Sequence, residues 1–193
     1  MRAVILCGGE IAAYDRVRNR IAADDLLICA DSGYRHAKAM GLRPAVVLGD
    51  FDSYTRAEVE CDNILTYPAK KDYTDSEIAV RYALEHGCDK ILLLGATGGR
   101  IDHTLGNLSL LGYILEQGAE GELYDGVSSV WMVRGTITVT GRPGDLLSVV
   151  PFAEADDLTT HGLAYPLSNV FETDCVQLNI GSGKALVVYT PQE

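Results

Sequence analysis

Long apolar runs are missing from this sequence. The N-terminal segment holds one apolar stretch of strand length, and no later stretch reaches the roughly 18 apolar residues that a membrane span needs. The same segment has neither a long apolar centre nor a small-residue cleavage site, so it does not resemble a secretory signal. We therefore expect a cytoplasmic protein that does not enter a membrane.

Cysteine pairs and basic residues are also scarce. The five cysteines, an odd number, show no CxxC or Cys/His spacing, which excludes the usual zinc sites and disulfide frameworks. Lysine and arginine total 16 against 27 aspartates and glutamates, giving a net charge of -11. The resulting field opposes nonspecific binding to nucleic acid or anionic membranes, so we expect neither partner. Binding of an anionic ligand would therefore need a local positive charge, either a metal ion or an arginine in the binding site.

Several catalytic motifs are absent as well. The sequence has no GxSxG nucleophile turn, no HExxH zinc helix, no GxxxxGK[ST] phosphate loop and no spaced GxGxxG. An acyl-enzyme route therefore lacks an obvious nucleophile, and nucleotide phosphates would have to be bound by other means. With 193 residues, 47% of them hydrophobic, the chain can nevertheless bury a substantial core.

The first two thirds of the chain alternate short apolar runs with helical stretches. The runs are RAVILC (2–7), LLICA (26–30), AVVLG (45–49), NILTY (63–67) and KILLLG (90–95). The clearest helix lies in TDSEIAVRYALEHG, where Thr74 to Glu77 fit a capping box and Gly87 fits the position after the last turn. This alternation predicts an α/β domain over residues 1–126, with a mostly parallel sheet and helices on both faces.

The pattern of apolar and polar residues changes after about residue 125. SSVWMVRGTITVT and DLLSVVPF alternate apolar and polar residues around a Gly-Arg-Pro-Gly turn, and two further strand-like runs, VQLNI and ALVVYT, follow. No helical period is found there. Residues 127–193 are therefore predicted to form a small antiparallel β-sandwich domain. Its core is limited, so it should pack on the first domain or on a second subunit.

Acidic residues follow four of the predicted strands. LLICA is followed by Asp31, AVVLG by Asp50 and Asp52, NILTY by Asp72 and Asp75, and KILLLG by Arg100 and Asp102. In an open parallel sheet, ligands bind outside the carboxyl ends of the strands, so these six carboxylates should converge on one edge. Each alone is also explained as a turn former or a helix N-cap.

Taken together, these carboxylates require a cation. Two like charges about 4 Å apart repel by roughly 4 kcal/mol at an effective dielectric of 20, against a total stability of about 5 to 15 kcal/mol. Hard oxygen ligands without cysteine or histidine partners favour Mg2+. This ion takes one or two protein carboxylates and completes its shell with water and substrate phosphates. The sequence thus predicts a magnesium site at this edge of the sheet.

A glycine-rich turn, GATGG, lies between a predicted strand and a helix N-terminus. The turn Thr97-Gly98-Gly99 would let backbone N–H groups approach a phosphate. Arg100 adds a fork-shaped donor suited to phosphate, beside Asp102. Together with the acids, this segment predicts metal-dependent phosphoryl chemistry.

The helix after this turn carries two further polar candidates. His103 and Asn107 are four residues apart and would share one face of the helix. For His103, a capping or packed role fits as well as a catalytic one.

Four motifs, in this order, resemble thiamine pyrophosphokinases of the bacterial type: ADSG (30–33), GDFDS (49–53), KDYTDSE (71–77) and GGRIDHTLGNL (98–108). The similarity continues into THGLAYPL (160–167). The resemblance implies transfer of a pyrophosphoryl group from ATP to the hydroxyl of thiamine, giving thiamine diphosphate and AMP. It also implies a homodimer, with residues 1–126 as the catalytic ATP-binding domain and residues 127–193 as a thiamine-binding and dimerising β-sandwich.

The resemblance also implies roles for individual residues. The metal ligands would be Asp50, Asp52 and Asp72. The catalytic set would be these three with Asp75, Arg100 and Asp102, and either Asp72 or Asp75 would accept the hydroxyl proton. The nucleotide-binding set would be Asp31, Ser32, Thr97, Gly98, Gly99, Arg100, Asp102 and His103. The thiamine contacts would be Asp75, Asn107, Tyr165 and Ser168, with Tyr165 offering an aromatic face to the cationic thiazolium.

Two departures from the family pattern fall on the thiamine side. The family has a further hairpin with a Ser-Asn pair after GLAYPL, whereas here Ser168 and Asn169 follow directly; position 164, commonly basic in the family, is Ala164. Two alternatives therefore stay open. The acceptor could be another small alcohol, such as a pterin-like or modified pyrimidine compound, or the protein could be a nucleotide or thiamine sensor without turnover.

Overall fold

The structure is a computed structural model that describes residues 1–50, 59–68 and 72–192. The chain divides into two units, Met1–Gly126 and Val127–Glu193. A parallel sheet forms the centre of the first unit. The strands are β1 (Arg2–Leu6), β2 (Leu26–Ala30), β3 (Val46–Gly49), β4 (Ile64–Thr66), β5 (Lys90–Leu94) and β6 (Glu120–Tyr124). Their order is β4-β3-β2-β1-β5-β6, and each described pairing is parallel. The predicted α/β class is confirmed. Strand β6 is not among the predicted strands, because EGELY has only one fully buried residue, Leu123.

Helices lie against this sheet. They are α1 (Tyr14–Arg18), α2 (Tyr34–Ala39), α3 (Asp75–Glu85) and α4 (Ile101–Glu116), with a 3-10 turn at Asp31–Gly33. Buried residues of α1 and α2 form one hydrophobic cluster with alternate residues of the strands. Alternate strand residues point to the same face of the sheet, so α1 and α2 cover that face. Helix α3 packs on β1, β2 and β3, and α4 on β6, with buried residues separate from that cluster. In the described ranges, no helix has the length and apolar character of a membrane span.

Helix α3 begins as its sequence predicts, but only half of the capping box forms. Thr74 Oγ1 accepts a hydrogen bond from the backbone N–H of Glu77 at 3.2 Å. The Glu77 carboxylate instead accepts from Arg81, one turn later, at 3.0 and 2.8 Å. Gly87 and Gly118, which follow α3 and α4, have φ of 78°, the left-handed conformation that ends a helix.

An antiparallel sheet forms the second unit. Its strands are β7 (Ser129–Thr140), β8 (Leu146–His161) and β9 (Cys175–Thr190), with β9 in the middle. The prediction of two short strands, VQLNI and ALVVYT, is wrong, because both belong to β9. The pairings of β9 with β7 and with β8 each contain a register shift, and Gly183 has a positive φ of 80°, but one strand runs through both segments. Phe171 and Leu178 lie in the hydrophobic core of the second unit, and Trp131 packs against this core. The second sheet of the predicted β-sandwich stays a prediction.

Asp145, only 2% exposed, joins three parts of the second unit. Its carboxylate accepts hydrogen bonds from the backbone N–H groups of Gln192 and Arg142, both at 2.8 Å, and from the Tyr189 hydroxyl at 2.7 Å. The Gln192 N–H, followed by the Tyr189 hydroxyl, holds the pKa of Asp145 below its usual range. Burial and the same contact raise the pKa of Tyr189 to about 12. The carboxylate therefore stabilises the fold in its charged form.

We expect Asp145→Asn to lower the free energy of unfolding at neutral pH by about 2 to 3 kcal/mol, the scale of hydrogen bonds to a charged group. Because the folded-state pKa is lower than the unfolded one, this stabilisation is present above about pH 4 and is lost as the pH falls through the folded-state value. Urea unfolding at neutral pH and near pH 3 measures it. Asp174→Asn, at an exposed position of the same unit, is the control. An equal loss at both pH values would contradict this account.

Candidate active site

A cavity of about 690 Å3 opens at the carboxyl ends of β1, β2, β3 and β5. Its walls come from the segments that follow these four strands and from the first turns of α3 and α4. The strand order reverses between β1 and β5, and a doubly wound sheet opens its ligand crevice at such a point. The cavity is therefore where the sheet topology places a ligand.

Two loops meet at this cavity, which is lined by Gly8 and Gly9 of one and by Ala96, Gly98 and Gly99 of the other. We call residues 8–9 and 95–99 the glycine floor. The N–H of Gly9 donates to the carbonyl of Gly95 at 2.7 Å, and that of Glu10 donates to the carbonyl of Thr97 at 3.1 Å. A Cβ on Gly9 would lie 2.3 Å from the Thr97 oxygen and 2.5 Å from the Gly95 oxygen. Only glycine permits this approach of the two loops.

Asp31 lies at the end of β2 in an uncommon backbone conformation, with φ of 43°. The 3-10 turn that it begins is pressed against β1, since a Cβ on Gly33 would lie 1.9 Å from the carbonyl oxygen of Leu6. A Cβ on Gly49 would lie 2.9 Å from Cβ of Asp31. These contacts bring Asp31 beside the end of β3, where Asp50 follows. Strained backbone of this kind is typical of functional sites.

Arg100 and Asp102 form an exposed ion pair at the start of α4. The Arg100 guanidinium donates to the two carboxylate oxygens of Asp102 at 3.1 and 2.5 Å. This pairing lowers the pKa of Asp102 and raises that of Arg100. Arg100 lines the main cavity, whereas Asp102 lines a neighbouring cavity of about 460 Å3 between α3 and α4. The charge of Arg100 is thus already compensated within its own turn.

Asn107 fixes α4 to the loop after β5. Its Nδ2 donates to the carbonyl of Ala96 at 2.7 Å, and the residue is 8% exposed. Asn107 and His103 both line the main and the neighbouring cavity. The helix spacing therefore brings the two side chains to one wall, as predicted.

Tyr73 lies at the main cavity just before α3. Its ring is held by Arg81, whose guanidinium lies 4.4 Å from the ring centroid of Tyr73 and 4.7 Å from that of Tyr113 on α4. Tyr73 is 47% exposed, so much of its surface is accessible. The residue is not among the predicted site residues, although it lies inside the KDYTDSE motif.

Most of the site residues predicted in the first unit line the main cavity. These are Asp31, Ser32, Asp50, Asp75, Gly98, Gly99, Arg100, His103 and Asn107. Thr97 lines neither cavity, and its carbonyl accepts a hydrogen bond from the N–H of Glu10. Asp72 is exposed and lines neither cavity, and Asp52 lies outside the described residues. Lining residues that are not predicted include Gly8, Gly9, Glu10, Arg35 and Tyr73.

Comparison with known proteins identifies the family. Residues 17–121 match the family described as thiamin pyrophosphokinase, catalytic domain. Thiamine pyrophosphokinase of Bacillus subtilis (strain 168) is 35% identical over 152 residues, covering 75% of this chain and 71% of that protein. The chain belongs to the thiamin pyrophosphokinase family. It is therefore an enzyme of the ATP-dependent pyrophosphotransferase class.

Solved structures of thiamin pyrophosphokinases share this fold over the whole chain. The crystal structure of the Bacillus subtilis protein aligns with a TM-score of 0.87 and 24% identity, covering 100% of both chains, a likeness of fold. The crystal structure of thiamin pyrophosphokinase from Geobacillus thermodenitrificans aligns with a TM-score of 0.85 and 26% identity, covering 100% of this chain and 99% of the other. The likeness extends through both units.

The two thiamine contacts predicted in the second unit differ in exposure. Tyr165 is 66% exposed, whereas Ser168 is only 5% exposed. The N–H of Ser168 donates to the carbonyl of Tyr165 at 2.8 Å, and Ser168 Oγ accepts from the N–H of Val170 at 3.1 Å. Ser168 thus stabilises the turn that carries Tyr165. Thiamine binding by either residue stays a prediction.

Proposed function

We propose that this member of the thiamin pyrophosphokinase family transfers a pyrophosphoryl group from ATP to the hydroxyl of thiamine and releases AMP. The observation that carries the proposal is the cavity in which Asp31, Asp50 and Asp75 share the lining with Arg100 and the glycine floor. Transfer of this kind needs positioning and charge neutralisation more than covalent help from the protein. The cavity offers carboxylates for a cation and an arginine with backbone groups for a polyphosphate.

The donor set of the cavity fits Mg2+. Its oxygen ligands are carboxylates and backbone carbonyls, and among the described residues no three His, Cys, Asp or Glu side chains form a preformed metal site. Mg2+ characteristically takes one or two carboxylates and completes its shell with water and phosphates. Asp50 would hold the ion, with Asp52 and Asp72 as the further ligands expected from the sequence. When bound, it would neutralise charge on the phosphate oxygens.

The position of Asp75 favours it over Asp72 as the acceptor of the thiamine hydroxyl proton. Asp75 lines the cavity at the start of α3, whereas Asp72 does not line it. Arg100 and Asp102 would bind the nucleotide, and His103 and Asn107 would contribute from the same wall. Residues 127–193 would bind thiamine through the ring of Tyr165 and form a homodimer.

The test is the identity of the products. With ATP, Mg2+ and thiamine, the protein should release AMP and thiamine diphosphate in equal amounts, and removal of either Mg2+ by chelation or thiamine should abolish both. Formation of ADP in place of AMP, or AMP formation that does not depend on thiamine, would contradict the proposal. AMP release with a panel of pterin and pyrimidine alcohols would separate thiamine from other acceptors. Ligand binding without any product would favour a sensor.

A further inference from the structure

Two arginines among the described residues line the main cavity, and they differ in their hydrogen-bond partners. Arg100 is paired with Asp102 through two hydrogen bonds. Arg35, on α2, instead donates from one terminal nitrogen to the carbonyl oxygens of Gly8 at 2.7 Å and Gly9 at 2.9 Å. Within the described parts of the chain, Arg35 makes no ion pair with a carboxylate. Among those residues, no carboxylate therefore compensates the positive charge of Arg35 at the cavity.

His36 holds the same loop from the buried side. Its Nε2 donates to the Gly9 carbonyl at 2.8 Å, and its Nδ1 accepts from the Tyr14 hydroxyl at 2.8 Å. Burial lowers the pKa of His36, which is 2% exposed, so the ring is neutral and adds no charge of its own. The Gly9 carbonyl, with its two lone pairs, accepts from both His36 and Arg35. The network fixes the guanidinium in place and leaves its charge intact.

We infer that Arg35 binds the polyphosphate of the nucleotide, as a second cationic contact beside Arg100. The inference rests on the proposed function, because it takes the cavity as the nucleotide site. The Arg35 guanidinium uses one terminal nitrogen for these two carbonyls, and its Nε lies 3.4 Å from His36 Nε2. The other terminal nitrogen still has donors suited to phosphate oxygens. The net charge of -11 opposes the binding of an anion, so a cationic side chain in the cavity would favour it. Arg35 supplies that cation from α2, beside the loop after β1.

Binding of inorganic tripolyphosphate and of ATP, each with Mg2+, to wild type and Arg35→Gln tests this role. Glutamine removes the charge but retains an amide donor for a carbonyl of the Gly8-Gly9 loop. We expect the affinity for both ligands to fall about 10- to 100-fold, the range of a charge-assisted contact, while adenosine binding is unchanged. The salt dependence of ATP binding should also become shallower, because one ionic contact is lost. Arg35→Lys should recover part of the affinity.

Arg43→Gln is the matched control, since Arg43 is an exposed arginine paired with Asp62 away from the cavity. A purely structural role for Arg35 would weaken adenosine as much as tripolyphosphate and leave the salt dependence unchanged. Unchanged tripolyphosphate affinity in Arg35→Gln, or no tripolyphosphate binding by wild type, overturns the inference. Failure of wild type to form AMP from ATP and thiamine would instead count against the proposed function.

Discussion

Asp50→Asn should lower kcat for thiamine-dependent AMP formation by about a hundredfold or more, while the protein remains folded. Asp50 follows β3 directly and lines the main cavity beside Asp31 and Asp75. Asparagine keeps the shape of the side chain but loses the charge that attracts a divalent cation. Loss of one charge-stabilising group in an active site costs about a hundred- to a thousandfold in kcat. The measurement is the rate of AMP release at saturating ATP and thiamine.

Asp62→Asn is the control for this change. Asp62 is 91% exposed, is paired with Arg43, and does not line the cavity. Its replacement should leave kcat unchanged, and urea unfolding should give similar stabilities for wild type and Asp50→Asn. A near-normal rate in Asp50→Asn would remove Asp50 from the proposed metal site. A large loss of stability would move its role from chemistry to folding.

Gly9→Ala is expected to damage activity and stability together. The added Cβ would collide with the backbone carbonyls of Thr97 and Gly95, and neither belongs to a flexible side chain that could move away. The hydrogen bonds that join the loops after β1 and β5 would have to open. We expect a loss of about 2 to 4 kcal/mol in the free energy of unfolding and a fall of about a hundredfold in kcat/KM. Urea unfolding and AMP release measure the two effects.

Gly106→Ala provides the matched stability control. Gly106 lies inside α4, and a Cβ added there would meet no atom within 4 Å. Alanine is the better helix former, so this variant should gain about 0.5 to 1 kcal/mol. If Gly9→Ala had the same free energy of unfolding as wild type, the close approach of the two loops would not be required for the fold.

The fold of the first unit could largely be predicted from its sequence because buried parallel strands read as short continuous apolar runs. LLICA is a strand over the predicted residues, and RAVILC and KILLLG each end one residue earlier than predicted. Strand β6 lacks this signal, since its charged and glycine residues lie at the edge of the parallel strands. Strand β9 reads as two strands because Gly181 and Gly183 look like a turn, and only its neighbours show that it is a bend within one strand.

The predicted part of the candidate site comes from the segments that follow strands and from the first turns of the next helices, because the chain direction alone takes them to one edge of the sheet. Arg35 could not be found in this way. It lies on α2, a helix of six residues without a clear period, and its importance comes from contacts with carbonyls 27 and 26 residues earlier in the chain. Tyr73 is similar, because its ring is placed by Arg81, a full helix turn or more into α3.

The glycine floor has a consequence for how the substrate preference of this protein could be changed. The two loops of the floor are joined by backbone hydrogen bonds whatever side chains surround them, and Gly9 cannot be exchanged without a collision. Discrimination between one nucleotide or acceptor and another therefore falls to the side chains of the walls, such as Arg35, Tyr73 and His103. Libraries for a new acceptor should vary these positions and leave the glycines as they are.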